Sequence, residues 1–196
     1  MAKDTDRLTL YKELEKQLKY SRFVHTMGVT FTATSLAMRY GADVKRAELA
    51  GLLHDCAKYV PVDEMERICR EGGLEISSFE RGNGALLHSK AGSVLARTKY
   101  GVTDKEVLDA IRFHTTGRPG MTLLDKIVFI ADYMEPGREE APDLSIVRPL
   151  AFSDLDQALL QILSDTLDYL EGTGKKIDPM TRRTWEFYKT MVQTEK

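Results

Sequence analysis

Cysteine is scarce in this chain. There are two in 196 residues, Cys56 and Cys69, and they do not stand in a Cys-x-x-Cys spacing. A disulfide framework and a thiolate metal cage are both disfavoured, and the pair reads as two reduced thiols in a reducing compartment. A surplus of either charge is missing too, since 28 basic residues face 30 acidic ones for a net charge of -2. That removes the bulk electrostatic case for a nucleic-acid polymer as partner. It leaves room for a small anionic substrate served by a few local bases. Long apolar runs are absent: the longest uncharged stretch, Phe23 to Met38, holds His25, Gly28, Ser35 and four threonines, too short and too polar for a bilayer span. The first residues, MAKDTDRLTLYKELEK, carry charges where a signal peptide would need its apolar segment. The expectation is a soluble, cytoplasmic protein without membrane association.

Sustained strand alternation, fixed-period repeats and low-complexity tracts are also lacking. What is present is apolar spacing of helical period along almost the whole chain, in a composition 42% hydrophobic and 30% charged. The predicted fold class is all-α, a helical bundle. Predicted helices run from about Thr5 to Leu18 and from Ser21 to Gly41, a glycine suited to a left-handed cap. Asp43 caps a third carrying Ala47, Ala50, Leu53 and His54, and Pro61 and Asp63 open a fourth that closes at Gly72-Gly73. A fifth holds Leu86 to Val94 and ends at Gly101. Thr103 with Glu106, Thr122 with Asp125, and Ser153 with Asp156 have the form of capping boxes opening three later helices. Asp178-Pro179 opens the last. The organisation expected is an N-terminal helix over 1–20, a core over 21–135, and helices over 136–196 that complete the same domain.

Histidine placement is the main functional clue. His25, His54, His88 and His114 all lie within or at the ends of predicted helices, each beside apolar residues. Any one alone is more often an ordinary hydrogen-bonded histidine; four placed alike, with two carboxylates behaving the same way, are not. Asp132 follows Ile127-Val128-Phe129-Ile130-Ala131, and Asp55 sits in Gly51-Leu52-Leu53-His54-Asp55-Cys56-Ala57. An unpaired carboxylate in either context costs several kcal/mol or loses its charge, and a single cation would compensate both. Adjacent residues of a helix diverge by about 100°, so His54 and Asp55 can share an ion only if it lies between their two directions. A mixed imidazole and carboxylate set suits Fe, Mn, Co, Ni or Zn better than Ca or Mg. Cys56 reads as a small buried hydrophobe.

His25, Leu53-His54-Asp55-Cys56-Ala57-Lys58 and Ile130-Ala131-Asp132, in that order, resemble the H…HD…D signature of the HD superfamily of metal-dependent phosphohydrolases. Four further segments, Arg22 to Val29, Leu86-Leu87-His88, Phe113 to Gly117 and Ala131 to Arg138, resemble one branch, the YqeK-type symmetrical bis(5'-nucleosyl)-tetraphosphatases of bacteria. The resemblance implies an HD-domain helical bundle with the metal site between its central helices. It also implies an iron-type centre of one or two ions and hydrolysis of diadenosine tetraphosphate to two ADP. Carried over residue by residue, His25, His54, Asp55 and Asp132 are the metal ligands. His88 and His114 either complete a second metal site or touch substrate phosphate, and the sequence allows both.

The chemistry fits those assignments. A divalent ion makes water more acidic and polarises a phosphoryl oxygen. Asp55 is then both ligand and catalytic proton acceptor, with Lys58 offering positive charge to phosphate from the same face three residues on. Substrate contacts are expected from His25, Asp55, Lys58, His88, His114, Thr115, Asp132 and Arg138, with Arg118 a weaker candidate. Trp185, Phe187 and Tyr188 read as a packed helix face that leaves room for a homodimer. The competing readings are another HD-type nucleotidase or (deoxy)nucleoside triphosphate phosphohydrolase, and a non-catalytic nucleotide-sensing protein on the same fold.

Overall fold

The computed structural model describes residues 7–194, and Thr5 lies outside them. Among the described residues there are ten helices and no strands: α1 (Arg7–Gln17), α2 (Tyr20–Tyr40), α3 (Val44–Leu53), α4 (Val62–Glu71), α5 (Gly84–Thr98), α6 (Lys105–Phe113), α7 (Leu123–Met134), α8 (Leu144–Ser153), α9 (Leu155–Gly172) and α10 (Pro179–Thr194). The all-α expectation holds. No helix among the described residues is long and apolar enough to cross a membrane.

Helix boundaries follow local chemistry. Gly41 ends α2 in the left-handed region, φ 71°, where a side chain would be strained. Asp43 caps α3 by accepting from the backbone N–H groups of Lys45 and Arg46. Thr122 and Asp125 form the reciprocal capping box that starts α7. Two other boxes shift by one residue. Asp104, not Thr103, caps α6, accepting from Glu106 and Val107 N–H, and Asp154, not Ser153, caps α9. In both places an aspartate stands beside the hydroxyl residue, and its carboxylate takes the capping position. Ser153 instead closes α8, a short helix hidden in the sequence because Pro149 interrupts its pattern. The fifth helix stops at Thr98, three residues short of Gly101, whose φ of 72° lets Val102 N–H return to the Ala96 carbonyl.

α2, α3, α6 and α7 pack on one another at the centre. α7 is buried on most sides, through Leu124, Ile127, Val128, Phe129, Ile130, Ala131 and Met134. α2 and α3 approach closely at Gly51, where a Cβ would stand 3.0 Å from the Thr30 Cα. α9 covers α7, and α8 and α10 pack on α9. These contacts form the main core, which runs from Leu10 to Tyr188. A second, smaller cluster of Ala57, Met65, Ile68, Cys69, Leu87, Ala91 and Val94 joins α4 to α5. Tyr188 is fully buried and its hydroxyl accepts from Met121 N–H, while Trp185 donates to Ser164 Oγ; these two are packing residues, but Phe187 is exposed and does not share the packed face.

Candidate metal centre

Five elements deliver six side chains to one point. His25 comes from the inner face of α2, and Asp132 from α7. His88 lies on α5, and His114 is the C-cap of α6. The His54-Asp55 pair departs from expectation. α3 ends at Leu53, His54 is its C-cap, and the chain continues in tight turns in which Cys56 N–H reaches Leu53 O and Lys58 N–H reaches Asp55 O. Leaving the helix is what lets two adjacent side chains converge, since neither is held to the divergence of a regular helix.

The distances are short. His25 Nε2 lies 3.0 Å from Asp132 Oδ1 and 4.0 Å from Asp55 Oδ2. His54 Nε2 lies 3.5 Å from Asp55 Oδ2 and 3.7 Å from Asp132 Oδ1. On the other side of the same carboxylate, His88 Nε2 is 3.1 Å and His114 Nε2 3.9 Å from Asp55 Oδ1. Three ligand sets result, each with donor atoms within 4.8 Å of one another: His25, His54 and Asp55; His54, His114 and Asp132; and Asp55, His88 and His114. Asp55 belongs to two of them.

All four imidazoles are oriented through Nδ1. His54 Nδ1 faces Gly51 O at 2.6 Å, His88 Nδ1 faces Gly84 O at 3.2 Å, and His114 Nδ1 faces Ile111 O at 2.7 Å. A carbonyl only accepts, so each Nδ1 carries the proton and each Nε2 presents a lone pair inward. His25 Nδ1 faces the Glu135 carboxylate at 3.0 Å. Within the protein itself these inward atoms are poorly satisfied. His25 Nε2, His54 Nε2 and Asp55 Oδ1 are buried without an aligned hydrogen-bond partner, although charged neighbours lie close. Orphaned lone pairs of this kind are rare in a folded interior unless something else occupies them. A cation held by imidazole and carboxylate fits that donor set.

The charges of the cluster act strongly on one another. Burial pushes the Asp55 pKa up, but His54, His88 and Lys58 outweigh it and hold the carboxyl well below its usual range. Asp132 behaves likewise, against His25, His54 and His114. Burial opposes charge on His54, yet Asp55 and Asp132 raise its pKa, whereas burial beside His88 and His54 drives His114 down to about 3 and keeps it neutral. Cys56 is buried, with a thiol pushed by burial and by Asp55 up to about 12, and its sulfur lies 3.5 Å from Gly92 O. It remains a thiol, and the ligand sets do not include it.

Asp132 is less enclosed than its apolar context suggested, with 23% of its side chain exposed. It borders a cleft of about 260 Å³ with His114, Thr115, Tyr133 and Arg138, lined also by the apolar Phe129, Ala141 and Ile162. Arg138 donates to Asp132 Oδ1 at 3.0 Å, and Thr115 Oγ1 is buried without a partner. Lys58 Nζ stands 3.5 Å from Asp55 Oδ1 and 3.2 Å from His88 Nε2. His25, His54, Asp55, Lys58, His88, His114 and Asp132 therefore gather at one place, and Thr115 and Arg138 line the adjoining cleft. Arg118 does not join them: both its Nε and Nη2 donate to Asp125 Oδ2, at 2.9 and 2.7 Å, and its guanidinium covers Phe113. Two residues were missed. Arg22 donates to Asp55 Oδ2 at 3.0 Å, and Glu135 contacts His25. Their sequence signal was their position, three residues from His25 and from Asp132 respectively, one helical turn along.

Residues 22–137 match the family model described as HD domain. The chain belongs to the HD domain family. A relative from Bacillus subtilis (strain 168) named bis(5'-nucleosyl)-tetraphosphatase, symmetrical, is 42% identical over 89% of this chain and 92% of its own length. A protein of the same name from Halalkalibacterium halodurans is 42% identical over 88% of this chain and 91% of its own. The crystal structure of a predicted HD superfamily hydrolase involved in NAD metabolism from Clostridium acetobutylicum is 39% identical, with a TM-score of 0.89 over 93% of this chain and 96% of that one. The HD domain and the His–Asp cluster together imply dependence on a divalent metal.

Proposed function

We propose that this HD protein hydrolyses diadenosine tetraphosphate and related dinucleoside polyphosphates symmetrically, giving two ADP. The observation that carries the reading is the convergence of four Nε2 atoms and two carboxylates on one point, in a chain 42% identical over 89% of its length to a relative that bears that name. His25, His54, Asp55 and Asp132 would hold the metal. Iron suits the mixed nitrogen and oxygen set, as do Mn, Co, Ni and Zn. When bound, the ion supplies Lewis acidity and lowers the pKa of nearby water.

The chain's own groups do the rest. Asp55 Oδ1, buried without an aligned donor, would take the proton of the attacking water. Lys58 and Arg138 stand on opposite sides of the centre, one on Asp55 and the other on Asp132, and neutralise the phosphates of the bridge. Thr115 Oγ1 donates to a phosphoryl oxygen from the cleft wall. Lys58 Nζ, 3.2 Å from His88 Nε2, occupies the side where a second ion would sit. With Asp55 Oδ1, the His88 and His114 Nε2 lone pairs would hold a second ion there, and either ring would contact phosphate only after taking up a proton. The work is intracellular and the substrate a free nucleotide.

Product analysis tests this. Metal-loaded protein given diadenosine tetraphosphate should yield ADP as its sole nucleotide. ATP plus AMP would show asymmetric attack and end the proposal. Preference for a nucleoside triphosphate would favour the nucleotidase reading. Preference for a pyrophosphate-bridged dinucleotide would favour a role in NAD metabolism, the one ascribed to the Clostridium acetobutylicum relative. Binding without turnover under several divalent ions would favour a sensor.

A further inference from the structure

Three of the four histidines are oriented by a carbonyl of their own helix, three or four residues back. His54 and His114 are C-caps, and His88, the fifth residue of α5, faces the Gly84 carbonyl four residues back. His25 is different. It is the sixth residue of α2, a position close to that of His88 in α5, yet its Nδ1 faces a carboxylate of another element. Its orientation comes from Glu135, the C-cap of α7, 3.0 Å from its Nδ1.

Glu135 is unusually well fixed for a carboxylate at a helix end. Only 3% of it is exposed. Its backbone is extended, ψ 152°, as the following Pro136 requires. One oxygen accepts from His25 Nδ1–H at 3.0 Å and the other from Gly137 N–H at 2.6 Å. The opposing surface of α2 is Gly28, where a Cβ would come within 2.2 Å of Glu135 Oε2. The Arg148 guanidinium secures the turn by donating to the carbonyls of Met134, Glu135 and Arg138. Arg138, at the end of that turn, is the residue that donates to Asp132.

We infer that Glu135 is the positioning residue of the metal centre: its carboxylate sets the His25 tautomer, aims Nε2 at the other donors, and ties that ring to the turn bearing Arg138. The inference rests on the proposed role of His25 as a ligand. Glu135 touches neither metal nor substrate; it acts through His25. An anionic acceptor on the far nitrogen makes the ring a stronger donor than a carbonyl would, and loss of such partners typically weakens metal binding 10–100-fold.

The test uses zinc, which is diamagnetic, on the full chain. Zinc affinity is read by competition with a chromogenic chelator, and the four histidine rings by two-bond proton–nitrogen correlation spectra. Glu135→Gln keeps the shape but has one acceptor oxygen for two donors. It should lower zinc affinity about 10–100-fold and move the His25 ring signals while those of His54, His88 and His114 stay. Gly28→Ala, which displaces the carboxylate while keeping it, should change the same signals in the same direction. Wild-type affinity with unmoved His25 signals in both variants overturns the inference. So does a loss of affinity in which all four rings shift together with the melting temperature, since that marks a merely structural residue. If wild-type protein takes up no zinc or other divalent ion, the metal reading fails first, and the two failures are thereby distinguishable.

Discussion

At the scale of single residues, the interior of this protein treats carboxylates in two ways. Asp55 and Asp132 gather cations and imidazoles around a chemical centre, whereas Glu80 is used for structure alone. Glu80 is buried, pairs with Lys90, and accepts from Ser77 N–H at 2.8 Å, pinning the segment before α5. Burial pushes its pKa up, but the Lys90 and Ser77 bonds outweigh burial and hold it below 4.5. A folded-state pKa below the unfolded one means stability that is complete above the unfolded value and fades as pH falls through the folded value. Glu80→Gln should therefore cost about 1–3 kcal/mol at neutral pH. The gap from wild type in urea unfolding should narrow as pH falls below 4.5 and through the lower folded-state value. A pH-independent gap would mean that packing, not ionisation, accounts for the loss.

Secondary elements show how a centre is built from helix ends as well as faces. His54 and His114 are both helix C-caps, and Glu135 is another. The crossing of α2 and α3 sets the spacing between His25 and His54, and it is closest at Gly51, whose carbonyl also receives His54 Nδ1–H. Gly51→Val puts a branched side chain where even a Cβ meets backbone at 3.0 Å. Overpacking of this kind costs roughly 1–3 kcal/mol, and the two histidines should separate. Calorimetry should show a lower melting temperature, and chelator competition weaker metal binding. Unchanged metal affinity would mean that α2 and α3 part without moving the ligands. This scale also shows what the sequence made legible. The helices, the α7 capping box and the six convergent side chains could be read from period, cap chemistry and the isolation of polar residues in apolar runs. The exit of His54-Asp55 from α3 could not, because no glycine or proline marks it and the turn is set by tertiary contacts. Arg118 misled for a related reason: its carboxylate partner Asp125 is itself part of a cap, which hid it as a counter-charge. Arg22 and Glu135 lacked any local oddity, since a charged residue beside a helix end is usually solvated.

The whole molecule divides its labour between two cores. The large one holds α2, the end of α3, α6 and α7, and with them His25, His54, Asp132 and His114. The small one, Met65, Ile68 and Cys69 of α4 against Leu87, Ala91 and Val94 of α5, supports the flank from which Lys58 and His88 reach Asp55. A cluster of seven buried residues contributes far less burial than the main core, and units of that kind open locally at lower free energy than the global transition. Met65→Ala removes a side chain that is 2% exposed at the middle of the small core and should cost about 2–5 kcal/mol there. Hydrogen exchange should then show α4 amides losing protection while those of α7 keep theirs. Metal affinity should stay near wild type, because His25, His54 and Asp132 stand on the other core, while turnover falls as Lys58 and His88 lose their fixed places beside Asp55. Equal loss of protection in α4 and α7, with loss of metal, would show instead that the two cores unfold as one unit and that the phosphate side of the centre has no independent mobility.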